Sequence, residues 1–181
     1  FFFAPKMSAF VELFGENLLS GSEAVKTADA LNGKVVAIYF SAHWCPPCRQ
    51  FTPKLAEWYK KSLKEKGLEV VFVSRDNDDA TFKDYYATMP WTALPFSEKN
   101  ARETLQKKFN ISGIPTLVIL DTDGQSITTD GRGAVTKDPT GKDFPWKSGS
   151  KADDKKGKDG GKETHGFKKF LGDIKGMFHK K

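Results

Sequence analysis

Cysteine is the scarcest informative residue here: 181 residues hold two, Cys45 and Cys48. That count excludes a disulfide-stapled scaffold and any four-cysteine metal site. Histidine is nearly as rare, and of His43, His165 and His179 only His43 lies near the cysteines, so a zinc site built on the pair would want for ligands. Long apolar runs are missing as well. The longest strongly apolar one, residues 35–40, is far short of the roughly 20 residues of a spanning helix. Phe1-Phe2-Phe3-Ala4-Pro5 is followed at once by Lys6 and does not read as a complete signal peptide, with Met7 as a candidate start. Residues 1–146 also lack a charge excess of either sign, with 18 basic and 18 acidic side chains. Residues 147–181 hold 11 and 5, so the net charge of +6 sits entirely in the tail. A neutral body argues against a broad nucleic-acid face, and nucleic acid is not an expected partner.

What is present reads as one domain with an appendage. Phe10, Leu13 and Phe14 follow Ser8 at helical spacing and stop at Gly15, predicting a short helix. Residues 17–27 read as a small hairpin broken at Gly21. Val35 to Phe40 is a β-branched and aromatic run suited to a central strand buried on both faces. Residues 45–66 read as a helix, 70–73 as a second buried strand, and 79–89 and 98–109 as two further helices. Residues 116–120 make a third buried strand, turned at Asp123-Gly124 into an antiparallel partner at 125–129. Strands alternating with helices and closing on a hairpin predict an α/β fold, three-layer α/β/α with a central mixed sheet. The domain is assigned to residues 7–146. Residues 147–163, dominated by Lys, Asp, Gly and Ser, read as a flexible linker, and 164–181 as a basic amphipathic tail.

Trp44-Cys45-Pro46-Pro47-Cys48 falls between a strand and a helix, the context that makes a Cys-x-x-Cys informative. Unpaired amides and the dipole of a helix N-terminus favour a thiolate at the first cysteine, and three residues on is nearly one turn. Cys45 is then the exposed nucleophile and Cys48 the resolving thiol of thiol–disulfide exchange. A purely structural disulfide is a weak alternative, because closing so short a loop removes only about 2 kcal/mol of unfolded-state entropy, against nearly 5 for a hundred-residue loop. Pro115 opens the third buried strand and reads either as a plain strand boundary or as a cis peptide. In the cis reading, the backbone of Ile114 is left for a substrate chain to pair with.

Several segments together resemble the tryparedoxin and nucleoredoxin branch of the thioredoxin superfamily. They are Tyr39 to Arg49 around the dithiol, Met89-Pro90-Trp91 with Leu94-Pro95-Phe96, Gly113 to Leu117, and Lys142-Asp143-Phe144-Pro145-Trp146. The resemblance runs through about residues 8–147 and implies a thioredoxin fold, Cys45 as nucleophile and a cis Pro115. It implies a reductase of protein disulfides with no bound cofactor or metal. Its electrons would come from a dithiol or a thioredoxin- or glutathione-type system. A chain whose only cysteines, Cys45 and Cys48, are catalytic suits a reducing compartment, cytoplasmic or nuclear, and a monomer is expected. A redox-regulated binding module in signalling is the alternative. Tryparedoxins carry Trp-Asp after the second buried strand, used with a later arginine to hold trypanothione; here the site reads Ser74-Arg75-Asp76, as in nucleoredoxins. Tyr39 stands where many thioredoxins bury an acid.

Around the dithiol, Trp44, Pro46, Pro47, Ile114 and Pro115 are candidate substrate contacts. Trp91 reads equally as a rim partner of Trp44 or as core. Arg132 reads as a carboxylate ligand or a solvated surface residue, and His43 as a surface residue or a tuner of Cys45. In the tail, Phe167, Phe170, Leu171, Ile174 and Phe178 form a stripe flanked by lysines. Three readings stay open there: a disordered solubilising segment, a helix that docks on an anionic membrane or a partner's groove, and packing back on the domain.

Overall fold

The computed structural model describes residues 8–147. Residues 1–7, the expected linker beyond 147 and the tail at 164–181 lie outside the described residues. In chain order the elements are α1 (Ala9–Phe14), β1 (Asn17–Ser20), β2 (Glu23–Lys26), α2 (Thr27–Leu31), β3 (Val35–Ser41) and α3 (Pro46–Trp58), which runs on as a π-helical turn, Tyr59–Leu63. Then come β4 (Leu68–Ser74), α4 (Asp79–Tyr86), β5 (Thr92–Ala93), α5 (Lys99–Lys108), β6 (Thr116–Leu120), β7 (Ser126–Thr128) and α6 (Gly131–Lys137).

The strands form one sheet in the order β2-β1-β5-β4-β3-β6-β7. β3 pairs parallel with β4 and antiparallel with β6, so the sheet is mixed. Every residue of β3 and of β4 is buried. Alternate side chains of a strand point to opposite faces, and here both faces are covered. Val35, Ala37 and Tyr39 join Val70 and Phe72 under α3, α4 and α6. Val36, Ile38 and Phe40 join Val71 and Val73 under α1, α2 and α5. A run with no polar alternation is what a strand between two helical layers requires.

Three elements differ from the sequence reading. Thr27 does not extend the hairpin but opens α2, its hydroxyl donating to the Gly15 carbonyl at 2.6 Å. The Trp91–Pro95 stretch contains β5, two residues joining β1 to β4. Residues 131–137 form α6, capped by the Asp130 carboxylate, which accepts from Gly133 N–H. A Cβ on Gly131 would lie 2.7 Å from both the Leu117 carbonyl oxygen and Ile119 Cγ1, so only glycine lets α6 approach β6 this closely. Among the described residues no helix is long and apolar enough to cross a membrane.

Candidate active site

β3 ends at Ser41 and α3 begins at Pro46, so residues 42–45 turn over the C-terminal edge of two parallel strands, where open α/β sheets gather their ligands. Cys45 is the residue before α3, with Pro46 and Pro47 in its first turn. Proline suits that turn because its missing N–H would have no helical partner, and its fixed φ is already helical. The first free amide beyond the prolines is that of Cys48, which donates to Cys45 Sγ at 3.3 Å. The N-terminus of the helix is thereby aimed at this sulfur, where it favours negative charge.

Cys45 and Cys48 are joined as a disulfide, their Cα atoms 5.2 Å apart. The first sulfur is less open than expected: Cys45 is 4 % exposed and Cys48 0 %. Ala42 and Ile114 pack against the pair, and the Ile114 carbonyl oxygen lies 3.8 Å from Cys45 Sγ. Cys45 is still the one of the two that reaches solvent. The Ile114-Pro115 peptide is cis, and β6 starts only at Thr116, so the Gly113–Pro115 backbone lies ahead of the sheet ladder, against the dithiol. Thr116 Oγ1 donates to the Gly113 carbonyl at 2.8 Å and closes this loop.

The structure brings most of the remaining candidates to this edge. Trp44 is 53 % exposed, the large hydrophobic residue left open among those described, and its indole N–H donates to the Arg75 carbonyl at 3.1 Å. Pro46 and Pro47 are exposed beside it. Arg132 projects from α6 toward the cis-proline loop, with Nη1 3.5 Å from the Pro115 carbonyl oxygen. His43 is exposed, but its ring stacks on Tyr85, centroids 5.4 Å apart. Its backbone is held at both ends, N–H donating to Asp76 Oδ1 at 2.7 Å and carbonyl accepting from Arg49 Nη1 at 2.8 Å.

Trp91 belongs elsewhere. It is 3 % exposed and meets Tyr39 and Tyr59 edge-on in the core. The reading of Trp91 as a substrate rim is therefore corrected: β5, two residues in length, pulls the residue before it down onto the sheet.

Sequence reasoning missed the polar support beneath the dithiol. Asp76, 6 % exposed, accepts from Ser74 Oγ as well as from His43 N–H, tying the loop before Cys45 to the end of β4. Thr52, one turn beyond Cys48, donates to the Cys48 carbonyl at 3.0 Å. Its hydroxyl also meets Tyr39 OH at 2.8 Å and Tyr85 OH at 2.6 Å, and Tyr85 OH meets Ser41 Oγ at 3.0 Å. Burial, followed by the neighbouring Tyr85, pushes the Tyr39 phenol above the ordinary tyrosine range, so it stays protonated at neutral pH. The position of a buried acid is thus filled by a chain of neutral hydroxyls. Thr52 was open to discovery, since i+4 from Cys48 faces the same way; Tyr85 carried no such signal. Among the described residues no three His, Cys, Asp or Glu side chains gather as a metal site.

Comparison with known proteins agrees with this geometry. The family described as Thioredoxin-like matches residues 32–126. Tryparedoxin of Trypanosoma brucei brucei is 49 % identical over 131 residues, covering 72 % of this chain and 90 % of the relative. Nucleoredoxin of Danio rerio is 45 % identical over 139 residues, covering 76 % of this chain but 33 % of the relative, so the chain spans about a third of that protein. The solved structure of tryparedoxin II from C. fasciculata superposes with a TM-score of 0.75 at 47 % identity, covering 79 % of this chain and 96 % of that one. A structure of tryparedoxin II complexed with glutathionylspermidine gives 0.74 at 46 % identity, covering 78 % and 100 %.

Proposed function

Because the chain belongs to the thioredoxin-like family, in the group that includes tryparedoxins and nucleoredoxins, we propose that it reduces protein disulfides through Cys45 and Cys48. The observation that carries the reading is the placement of Cys45 Sγ: next to a helix N-terminal amide, against the cis-proline loop, with a second sulfur one turn away.

In this reading the Cys45 thiolate attacks one sulfur of a substrate disulfide. The S–S bond of the substrate breaks, one substrate sulfur leaves as thiolate and takes a proton, and the other is held to Cys45 in a mixed disulfide. Cys48 gives up its proton and attacks Cys45 Sγ, the mixed disulfide breaks, and the second substrate thiol departs. Two electrons have passed to the substrate, and the chain is left as the Cys45–Cys48 disulfide, the form seen here. A further dithiol, from a thioredoxin- or glutathione-type system, returns it to the reduced state. Trp44, Pro46 and Pro47 form an open surface beside the sulfurs, while half-buried Ile114 packs on the pair ahead of the buried Pro115, whose carbonyl Arg132 reaches. The backbone ahead of β6 offers an extended substrate segment main-chain partners, as in strand addition. A chain whose two cysteines are its working pair suits a reducing compartment such as cytoplasm or nucleus, and a monomer suffices for the chemistry.

Trp44, open beside the dithiol, also suits a protein-binding module that the disulfide switches on and off, and turnover separates the two. With excess dithiothreitol and insulin, the chain is expected to accelerate insulin reduction catalytically at substoichiometric amounts. One equivalent reduced per chain and no more, even with reductant in excess, would refute the enzymatic reading.

A further inference from the structure

Beside the dithiol loop, a cavity of about 490 Å³ opens between the end of β4 and α5. Arg75, Lys99 and Arg102 line it, with Asp76 and Glu103 as its acids. The body of the chain is electrically neutral, so three cations in one cleft are a local feature. Both oxygens of Asp76 accept from neutral donors, His43 N–H and Ser74 Oγ, and Glu103 lies 3.9 Å from Lys99 on the same helix, so the cleft holds one cation more than it has acids.

Arg102 is held in place. Its guanidinium stacks on Phe96 at 4.1 Å from the ring centroid, and Nη1 donates to the Ser74 carbonyl at 3.4 Å. Yet Nε is buried with no hydrogen-bond partner, and among the described residues neither Arg75 nor Arg102 has a carboxylate at ion-pair distance. Burial draws the guanidinium's pKa downward, with Glu103 and Asp76 opposing. A planar cation fixed by stacking, half-buried and with no carboxylate at ion-pair distance among the described residues, is matched by a carboxylate, which accepts a charge-assisted hydrogen bond from the guanidinium's outer N–H groups.

The cleft touches the reacting end of the molecule directly. The Arg75 carbonyl holds the Trp44 indole, and Asp76 holds His43 N–H. We propose that this cleft receives an acidic side chain of the protein whose disulfide is being reduced, and so selects substrates with Asp or Glu near the target cysteine. The inference rests on the reductase reading and names its substrate class.

The test uses the full chain and two disulfide-linked peptides that differ only in Glu or Gln flanking one cysteine, with oxidised glutathione as a small-molecule carboxylate. At low salt kcat/KM for the Glu peptide is expected to exceed that for the Gln peptide about tenfold, the scale of a charge-assisted contact near a surface. That ratio should fall toward one in Arg102→Met, which keeps an apolar stem over Phe96, recover in part in Arg102→Lys, and collapse at high salt. A ratio near one in the unsubstituted chain, or one unmoved by Arg102→Met, overturns the proposal. Dependence on Arg102 for oxidised glutathione alone would overturn the assignment to a protein partner. Binding of the same peptides to the oxidised chain, which cannot react, separates the two claims. Selective binding of the Glu peptide without turnover keeps the cleft and removes the reductase, and turnover without selectivity does the reverse.

Discussion

Trp44 and Trp91 carry the same side chain in opposite circumstances. Trp44 stands 53 % exposed beside the dithiol, while Trp91 is 3 % exposed between Tyr39 and Tyr59. Trp91→Ala is expected to lower stability by about 3 to 5 kcal/mol, the cost of emptying a large core position. Trp44→Ala should stay within about 0.5 kcal/mol of the parent and instead slow the reduction of protein substrates. Thermal unfolding alongside insulin reduction checks both; a melting point that falls equally in the two variants would contradict these placements. From the sequence the two tryptophans could not be told apart in this respect, because what buries Trp91 is β5, which exists only through its pairing with β1 and β4. The dithiol was legible because its spacing and its place between strand and helix are local features, whereas the residues around Pro115 left a plain strand boundary open and the cis form came from the resemblance. Asp76 and Tyr85 were not, since each acts through residues about thirty positions away.

At the scale of elements, long runs with one clear period were readable: β3, α3, β4 and β6 stand where the apolar pattern put them. Short elements were not. Five residues of α2 fall below the length at which helical periodicity shows, and α6 contains Gly131 and Gly133, each of which costs a helix about 1 kcal/mol relative to Ala. α6 forms regardless, because Asp130 caps it and Val135 is buried. Just past its end, Asp138 closes the last turn of the domain by accepting from the backbone N–H of Lys142 and Asp143 and from the Trp146 indole. Burial alone would raise this carboxyl, but those donors, with the Lys142 charge, bring it below the ordinary range. A depressed folded pKa stabilises above the unfolded value, near 3.9, and that contribution disappears as pH falls through the folded value. Asp138→Asn should therefore lower stability at pH 7 by about 1 kcal/mol, discounted for partial exposure, and by much less at about pH 2.5. Paired melts at the two pH values read this directly, and an equal loss at both would contradict it.

At the scale of the domain, the described residues form a sheet with a packed layer on each face, and the working edge lies at the C-terminal ends of β3 and β4. Among the described residues, the buried clusters and the side chains packed on them run from Phe10 to Trp146. The domain read from the sequence at residues 7–146 predicts that a chain ending at Lys147 melts within a few degrees of the full chain and reduces insulin at a comparable rate; loss of folding or of turnover on truncation would contradict that. The central claim is the division of labour between the two sulfurs, and it is tested most directly by trapping. Reduced Cys48→Ser and Cys45→Ser chains are incubated with a disulfide-bearing protein, quenched by alkylation and resolved without reductant. Cys48→Ser is predicted to accumulate a mixed disulfide through Cys45, because nothing remains to resolve it, and Cys45→Ser, its lone thiol fully buried, to accumulate none. Equal trapping by both variants, or trapping by Cys45→Ser alone, would contradict the account.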